Sequence, residues 1–237
     1  MTQKTVALIT GANKGIGFEV ARQLGKLGLG VVVGARDEAK GAAAVAELRK
    51  QDIDAHAVKL DVTKADDVAK LPGYFKKRFG RLDVLVNNAG VAAWRGDDLE
   101  AFRHTFETNV FGVVAVTYAL LPLLTASSAG RIVNQSSVLG SLTTLQTSPD
   151  MFGNFVSASY TSSKAALNGF TVALAHKTRA TALKVNSAHP GWVKTDLGGK
   201  DAPMNVVDGA KTAVRLATLS SDGPTGQFFH MNDPLPW

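Results

Sequence analysis

The chain contains no cysteine in its 237 residues. That excludes disulfides, thiolate nucleophiles and cysteine-based zinc sites, and it is compatible with a reducing cytoplasm. The five histidines, His56, His104, His176, His189 and His230, show no metal-ligand spacing, so no metal is expected. The formal net charge is +6, yet the basic residues are scattered in short runs such as Lys76-Lys77-Arg78. Without a basic stripe interleaved with aromatics, no nucleic-acid partner is expected. The first residues lack the long apolar stretch and small-residue cleavage site of a secretory leader, so the expected location is cytoplasmic. One charge-free stretch, residues 108–130, has the length of a membrane span. Asn109, Gly112, Thr117, Pro122, Thr125, Ser127 and Ser128 interrupt it, and Glu100, Arg103 and Glu107 lead into it at helical spacing. A buried or interface helix is expected there, and no membrane partner.

What is present is an alternation. Short apolar runs at 5–10, 30–35, 55–60, 82–86, 131–134, 184–187 and 227–230 read as strands. Helical stretches at 16–27, 37–51, 64–79, 98–124, 158–178 and 206–219 separate most of them, with Asp37 a plausible N-cap and Pro72-Gly73 a possible break. Alternating β and α elements imply a parallel sheet with helices on both faces. Continuous apolar strands are expected where both faces are covered. The length suits one large domain, and there is no internal repeat or low-complexity linker. The expected fold is a single α/β domain over residues 1–237, a doubly wound parallel sheet of the Rossmann type. One irregular segment, an insertion near 140–157, lies where ligand-covering loops sit in such sheets.

Thr10-Gly11-Ala12-Asn13-Lys14-Gly15-Ile16-Gly17 follows the first strand and opens the first helix. Glycines at such a turn let the backbone approach a pyrophosphate, and the helix N-terminus supplies amide donors. The spacing is Gly-x-x-x-Gly-x-Gly, in the strand-loop-helix context that a dinucleotide site requires. The second strand ends in Ala35-Arg36, where NAD-binding proteins place an acid for the ribose 2′-OH. A guanidinium suits a 2′-phosphate, and Lys14 could add a second positive charge. The expected cofactor is therefore NADP(H); the competing reading is an Arg36 that merely faces solvent beside Asp37.

Tyr160 and Lys164 stand four residues apart, one helical turn, so phenol and ammonium share a face. A phenol, with an unperturbed pKa of about 10, is drawn toward the phenolate by a nearby positive charge. A tuned tyrosine can then exchange a proton with a carbonyl or alcohol oxygen.

These pieces resemble the classical short-chain dehydrogenases/reductases over essentially the whole chain: Thr10-Gly11-x-x-x-Gly15-x-Gly17, Asp61-Val62, Asn87-Asn88-Ala89-Gly90, Asn109, Ser137, Tyr160-x-x-x-Lys164, Asn186 and Pro190-Gly191 with Thr195. Asn13-Lys14-Gly15, Ala35-Arg36-Asp37 and the run from Pro190 to Asp196 look most like the NADPH-dependent carbonyl reductases. The resemblance implies that Ser137 hydrogen-bonds the substrate oxygen while Tyr160 protonates it. Lys164 would lower the Tyr160 pKa and bind the nicotinamide ribose. Asn109, through its backbone, would hold a water. Gly11, Asn13, Lys14, Gly15, Ile16, Gly17 and Arg36 would line the phosphates. Asp61 and Val62 would meet the adenine, Asn88, Ala89 and Gly90 its ribose, and Pro190, Gly191, Val193 and Thr195 the carboxamide. Ser136 and Ser137 alternate faces on a strand, so one of them can point into the site; the family's pattern selects Ser137. The segment before Tyr160 is longer than in most members, which leaves open whether the chain is a monomer or a dimer.

Trp94, Phe155 and Trp192, with Phe152, are candidates to wall an apolar pocket, or are plain core. The expected function is NADPH-dependent reduction of a ketone, aldehyde or quinone carbonyl on a small molecule. A non-catalytic NADP(H)-sensing protein on the same fold is the alternative.

Overall fold

In a computed structural model, described for residues 4–93, 96–148 and 156–237, the chain alternates as its apolar pattern demands. The strands are β1 (Val6–Thr10), β2 (Gly30–Ala35), β3 (Ala55–Lys59), β4 (Val84–Asn87), β5 (Arg131–Gln135), β6 (Lys184–His189), β7 (Phe228–His230) and β8 (Asp233–Leu235). The helices are α1 (Gly15–Lys26), α2 (Glu38–Arg49), α3 (Ala65–Arg78), α4 (Leu99–Phe106), α5 (Val113–Ala126), α6 (Leu142–Thr147), α7 (Ala158–Lys177) and α8 (Val206–Ala217). The eight strands form one sheet of order β3-β2-β1-β4-β5-β6-β7-β8, parallel except for the last pair.

Successive residues of the central strands face opposite layers. Ala7, Ile9, Val31, Val33, Val84 and Val86 pack with Val20, Leu24, Leu48 and Ala213 from α1, α2 and α8. Leu8, Val32, Leu85 and Ile132 pack with Leu71, Phe75, Leu120 and Leu174 from α3, α5 and α7. Both faces are covered, which is why these strands carry no polar alternation. The edge strand β3 departs from that: Ala57 and Lys59 are exposed.

The helix expected at 98–124 is divided. Residues Glu107–Gly112 form a π-helical turn between α4 and α5, of the kind that concentrates at functional sites. The rod Leu99–Ala126 is long and apolar enough to cross a membrane by length and composition. Here α5 packs against α3, and α4 packs against α7. Pro72 does not break α3, which continues to Arg78. Trp237 returns to the body: its ring stacks on Phe228 at 5.7 Å, and its carbonyl accepts the Thr143 amide at 2.9 Å.

At the opposite end of the sheet Arg131, 3% exposed, donates to the carbonyls of Leu219, Ser220 and Gly130 at 2.6–3.0 Å. It thereby fixes the turn after α8 to β5. Arg131→Met leaves these carbonyls without their donor, so unfolding free energy should fall by about 2–4 kcal/mol, read as a lower urea midpoint at unchanged m-value.

Candidate active site

The strand order reverses between β1 and β4, and the loops leaving their carboxyl ends meet there, at the place where open α/β sheets bind ligands. Gly11 and Gly15 have φ of +64° and +59°, a conformation that glycine adopts without strain. A Cβ on Gly17 would stand 2.4 Å from Asn88 Nδ2, so only glycine lets the first turn of α1 approach the β4 loop. The Thr10 hydroxyl accepts the amides of Asn88 and Ala89 at 3.0 and 2.9 Å, and Asn88 Nδ2 donates to the Thr10 carbonyl at 2.9 Å. Asn13 and Ile16 are half-buried along this loop. No side chain caps α1 and no acid stands in its first turn. The start of α2 is capped by Asp37, and those of α7 and α8 by Ser157 and Asn205. The first-turn amides of α1 therefore face the cleft as free donors under a positive helix end, which fits a dinucleotide pyrophosphate.

The rim fits an extra phosphate. Arg36 is exposed at the end of β2. The next residue in the chain, Asp37, is engaged in capping α2, accepting the Lys40 amide at 3.0 Å. Asp61, at the end of β3, accepts the Thr63 amide and hydroxyl at 3.0 and 2.7 Å. Its carboxyl is held below the usual range despite burial, by Thr63 and by the charges of Lys64 and Arg36. Val62 packs against Gly112 of the π turn. Lys14 is paired with the carboxylate of Asp196 across the cleft. A role for Lys14 at a 2′-phosphate requires that exposed pair to open. The Pro190–Asp196 loop closes over the glycine loop: Thr195 Cγ2 lies 3.6 Å from where a Gly15 Cβ would be, and Val193 is buried.

Ser137, Tyr160, Lys164 and Asn109 converge at the ends of β4 and β5, all buried. Ser137 is hydrogen-bonded to the Tyr160 phenol. Ser136 points the other way, donating to Asn168 Oδ1 at 2.7 Å. Lys164 Nζ donates to the Gln135 carbonyl at 2.8 Å and lies 5.6 Å from the Tyr160 ring centroid. The Asn109 side chain clamps Val91 through both its amide and carbonyl, each at 2.9 Å, and donates to Ser163 Oγ at 3.0 Å. Its backbone lies in the π turn. Burial pushes Tyr160 up to about 12, against the opposing Ser137 hydrogen bond, and pushes Lys164 down to about 8. Desolvation is the leading cause at both groups and disfavours both charged forms.

One supporting residue escaped sequence reasoning. Asp97 accepts the Ala158 and Ser159 amides and the Ser157 hydroxyl at 2.9–3.0 Å, so it anchors the first turn of the Tyr160 helix from some sixty residues away. Nothing local in Gly96-Asp97-Asp98 signals that partner. Trp192 is half exposed at the cleft, its indole donating to the Gly198 carbonyl at 2.7 Å. Trp94, Phe152 and Phe155 lie outside the described residues, as does much of the segment before Tyr160.

A family model for the short chain dehydrogenases matches residues 5–205. The chain belongs to that family. It is 33% identical to short-chain dehydrogenase/reductase 1 of Saponaria officinalis, covering 100% of this chain and 97% of that one. It is 34% identical to carbonyl reductase (NADPH) 1 of Mus musculus, covering 100% and 99%. That alignment runs over 278 positions, so the mouse protein carries segments this chain lacks. Among solved structures, the NADPH-bound carbonyl reductase from chicken fatty liver superposes with a TM-score of 0.87 at 27% identity, covering 99% and 100%. Salutaridine reductase of Papaver somniferum does so with 0.84 at 31% identity, covering 95% and 99%. The chain is thus a short-chain oxidoreductase close to the carbonyl reductases.

With Tyr160 near 12, a tyrosinate absorbance titration of the cofactor-free protein should match that of Tyr160→Phe at every pH below about 10. An excess of tyrosinate in the parent protein below that pH would show that burial does not dominate.

Proposed function

We propose that this protein is an NADPH-dependent reductase of small-molecule ketones, aldehydes or quinones, acting in the cytoplasm without a nucleic-acid or membrane partner. One observation carries the reading: the Ser137–Tyr160 hydrogen bond stands beside the buried Lys164 ammonium, in a cleft whose far rim ends in Arg36. The α1 N-terminus and glycine loop hold the pyrophosphate, Arg36 the 2′-phosphate, and the Pro190–Thr195 loop the nicotinamide end. The cofactor supplies the hydride.

The chain's own part is to receive the charge that develops on the substrate oxygen. The Ser137 hydroxyl and the Tyr160 phenol, hydrogen-bonded to each other in the free protein, would both turn to the substrate oxygen, and donors held in a desolvated site stabilise that charge. Tyr160 then passes its proton to the oxygen. A phenol held protonated by burial is a donor throughout the neutral range, so the free protein is poised for reduction. The reverse direction needs the phenolate and gains with rising pH. Lys164 supports the phenol from the next turn of α7, its ammonium buried against the Gln135 carbonyl.

NADPH oxidation should be seen with members of a carbonyl panel, and Tyr160→Phe should lower kcat/KM by about 10²–10⁴-fold with NADPH affinity kept. Full turnover in that variant sinks the mechanism. Tight NADPH binding with no turnover on any carbonyl supports a cofactor-sensing protein instead. Arg36→Asp should raise the KM for NADPH by about 10–100-fold, the loss of one charge-assisted contact, without raising that for NADH. Equal changes with both cofactors would place the 2′-phosphate elsewhere.

A further inference from the structure

His189 is the last residue of β6, immediately before Pro190-Gly191. Its Nδ1 lies 3.3 Å from the Val138 amide and 3.4 Å from the Gly191 amide. A backbone N–H can only donate, so Nδ1 carries the lone pair and the ring proton is on Nε2. The neighbouring His230, paired with His189 across β6 and β7, makes the opposite contact: its Nδ1 donates to the His189 carbonyl at 3.1 Å. The two rings lie 4.9 Å apart. Gly191, at φ +90°, is wedged between His230 and Met204: a Cβ there would stand 2.8 Å from Met204 Sδ and 3.3 Å from His230 Cε1.

Val138 follows Ser137 directly, and Gly191 lies in the loop that approaches the glycine loop. The single Nδ1 lone pair, shared by the two amides, thus joins the loops that leave the neighbouring strands β5 and β6. Each bond is long, so neither contributes much energy. Their effect is positional: the same ring fixes both amides, and reacting groups displaced by about 1 Å can lose about 10²-fold in rate. Burial, with His230 beside it, pushes His189 down to about 3. The lone pair is therefore available at all physiological pH values.

We propose that His189 is a positioning residue, whose Nδ1 sets the Ser137 loop against the Pro190–Gly191 loop and so aligns the proton-donating side of the site with the nicotinamide side. The proposal rests on the reductase reading for its kinetic part, but its binding part can be tested without turnover. His189→Phe keeps a ring of similar size and removes the acceptor. His189→Asn places an amide oxygen close to the Nδ1 position. For His189→Phe, kcat should fall by about 10–100-fold. NADPH affinity, measured by fluorescence titration, should weaken several-fold, on the order of one lost hydrogen bond. Affinity for adenosine 2′,5′-bisphosphate, which lacks the nicotinamide end, should stay within about twofold, since it makes no contact at that end. His189→Asn should recover most of both losses. Should His189→Phe not fold, His189→Gln replaces it, because its longer amide misses the Nδ1 position while remaining polar. Equal weakening of NADPH and the bisphosphate would overturn the proposal, as would an Asn variant as impaired as the Phe variant, or a Phe variant with parental kcat and affinity. If the parent reduces no carbonyl, the reductase reading fails, and the split between NADPH and the bisphosphate still decides the role of His189.

Discussion

A lysine ammonium is buried at the carboxyl end of β5, and the surroundings of the site are arranged around it. Lys164 is 6% exposed, and one of its three N–H donors is taken by the Gln135 carbonyl at 2.8 Å. Such a charge is tolerated only where hydrogen bonding offsets desolvation. The close approach of α7 to the loop after β5 makes this possible, and that approach depends on Gly140, where a Cβ would stand 2.7 Å from Lys164 C and Cβ. Asn168 then ties the same loop down, donating to the Gly140 carbonyl at 3.1 Å and accepting from Ser136. A folded value of about 8 lies below the unfolded lysine value of about 10.4, so the native state binds fewer protons between them. The contribution of Lys164 to stability therefore rises with pH across that window, and at neutral pH the ammonium is a net cost to the free protein. A group kept despite such a cost is typical of a working site.

Beneath the site a polar network crosses the sheet. Asn87 donates to Asn134 and to Thr117, Asn134 donates to Thr171, and Thr171 meets Ser187, at 2.8–3.1 Å. These residues come from β4, β5, β6, α5 and α7, and all are buried. Asn87 Oδ1 has no partner among the described residues, but the bonds that are made fix the members in one arrangement. It holds the strand ends that carry Ser137 and the helix that carries Tyr160 and Lys164 in a single register. Asn109 extends the same logic upward, joining the β4 loop at Val91 to α7 at Ser163, and Ser163 in turn bonds the Tyr160 carbonyl.

Local chemistry was legible in the sequence and long-range chemistry was not. The run 30–35 reads as a strand and is one to the residue, because a buried strand needs only apolar side chains on both faces. The glycine loop reads as a phosphate cradle because Gly11, Gly15 and Gly17 answer to backbone geometry within eight residues. Strand alternation says that one of Ser136 and Ser137 faces the site, the family resemblance selects Ser137, and their partners agree. By contrast, the π turn at Glu107–Gly112 interrupts a segment whose composition is helical throughout. Asp97, His189 and the Asn87–Ser187 network act on partners tens of residues distant. No periodicity encodes such pairs, and only the strand order brings them together. β8 was missed for a related reason: three residues, Asp233–Leu235, with Pro234 among them, form a strand only because β7 offers an antiparallel edge.

The spacing of Tyr160 and Lys164 on one helix face speaks of their mutual attraction and is silent about burial. Two groups one turn apart suggest a cation pulling a phenol toward its anion. Burial acts on each group separately and in opposite directions on the pKa scale, raising the acid and lowering the base. Both effects favour neutral forms, and the ammonium lies 5.6 Å from the ring centroid. Ser137 is the neighbour that opposes the rise at Tyr160. The phenol therefore enters the site as a protonated donor already oriented by a serine, and the lysine's contribution is first geometric: it holds the helix face that carries the phenol against the end of β5.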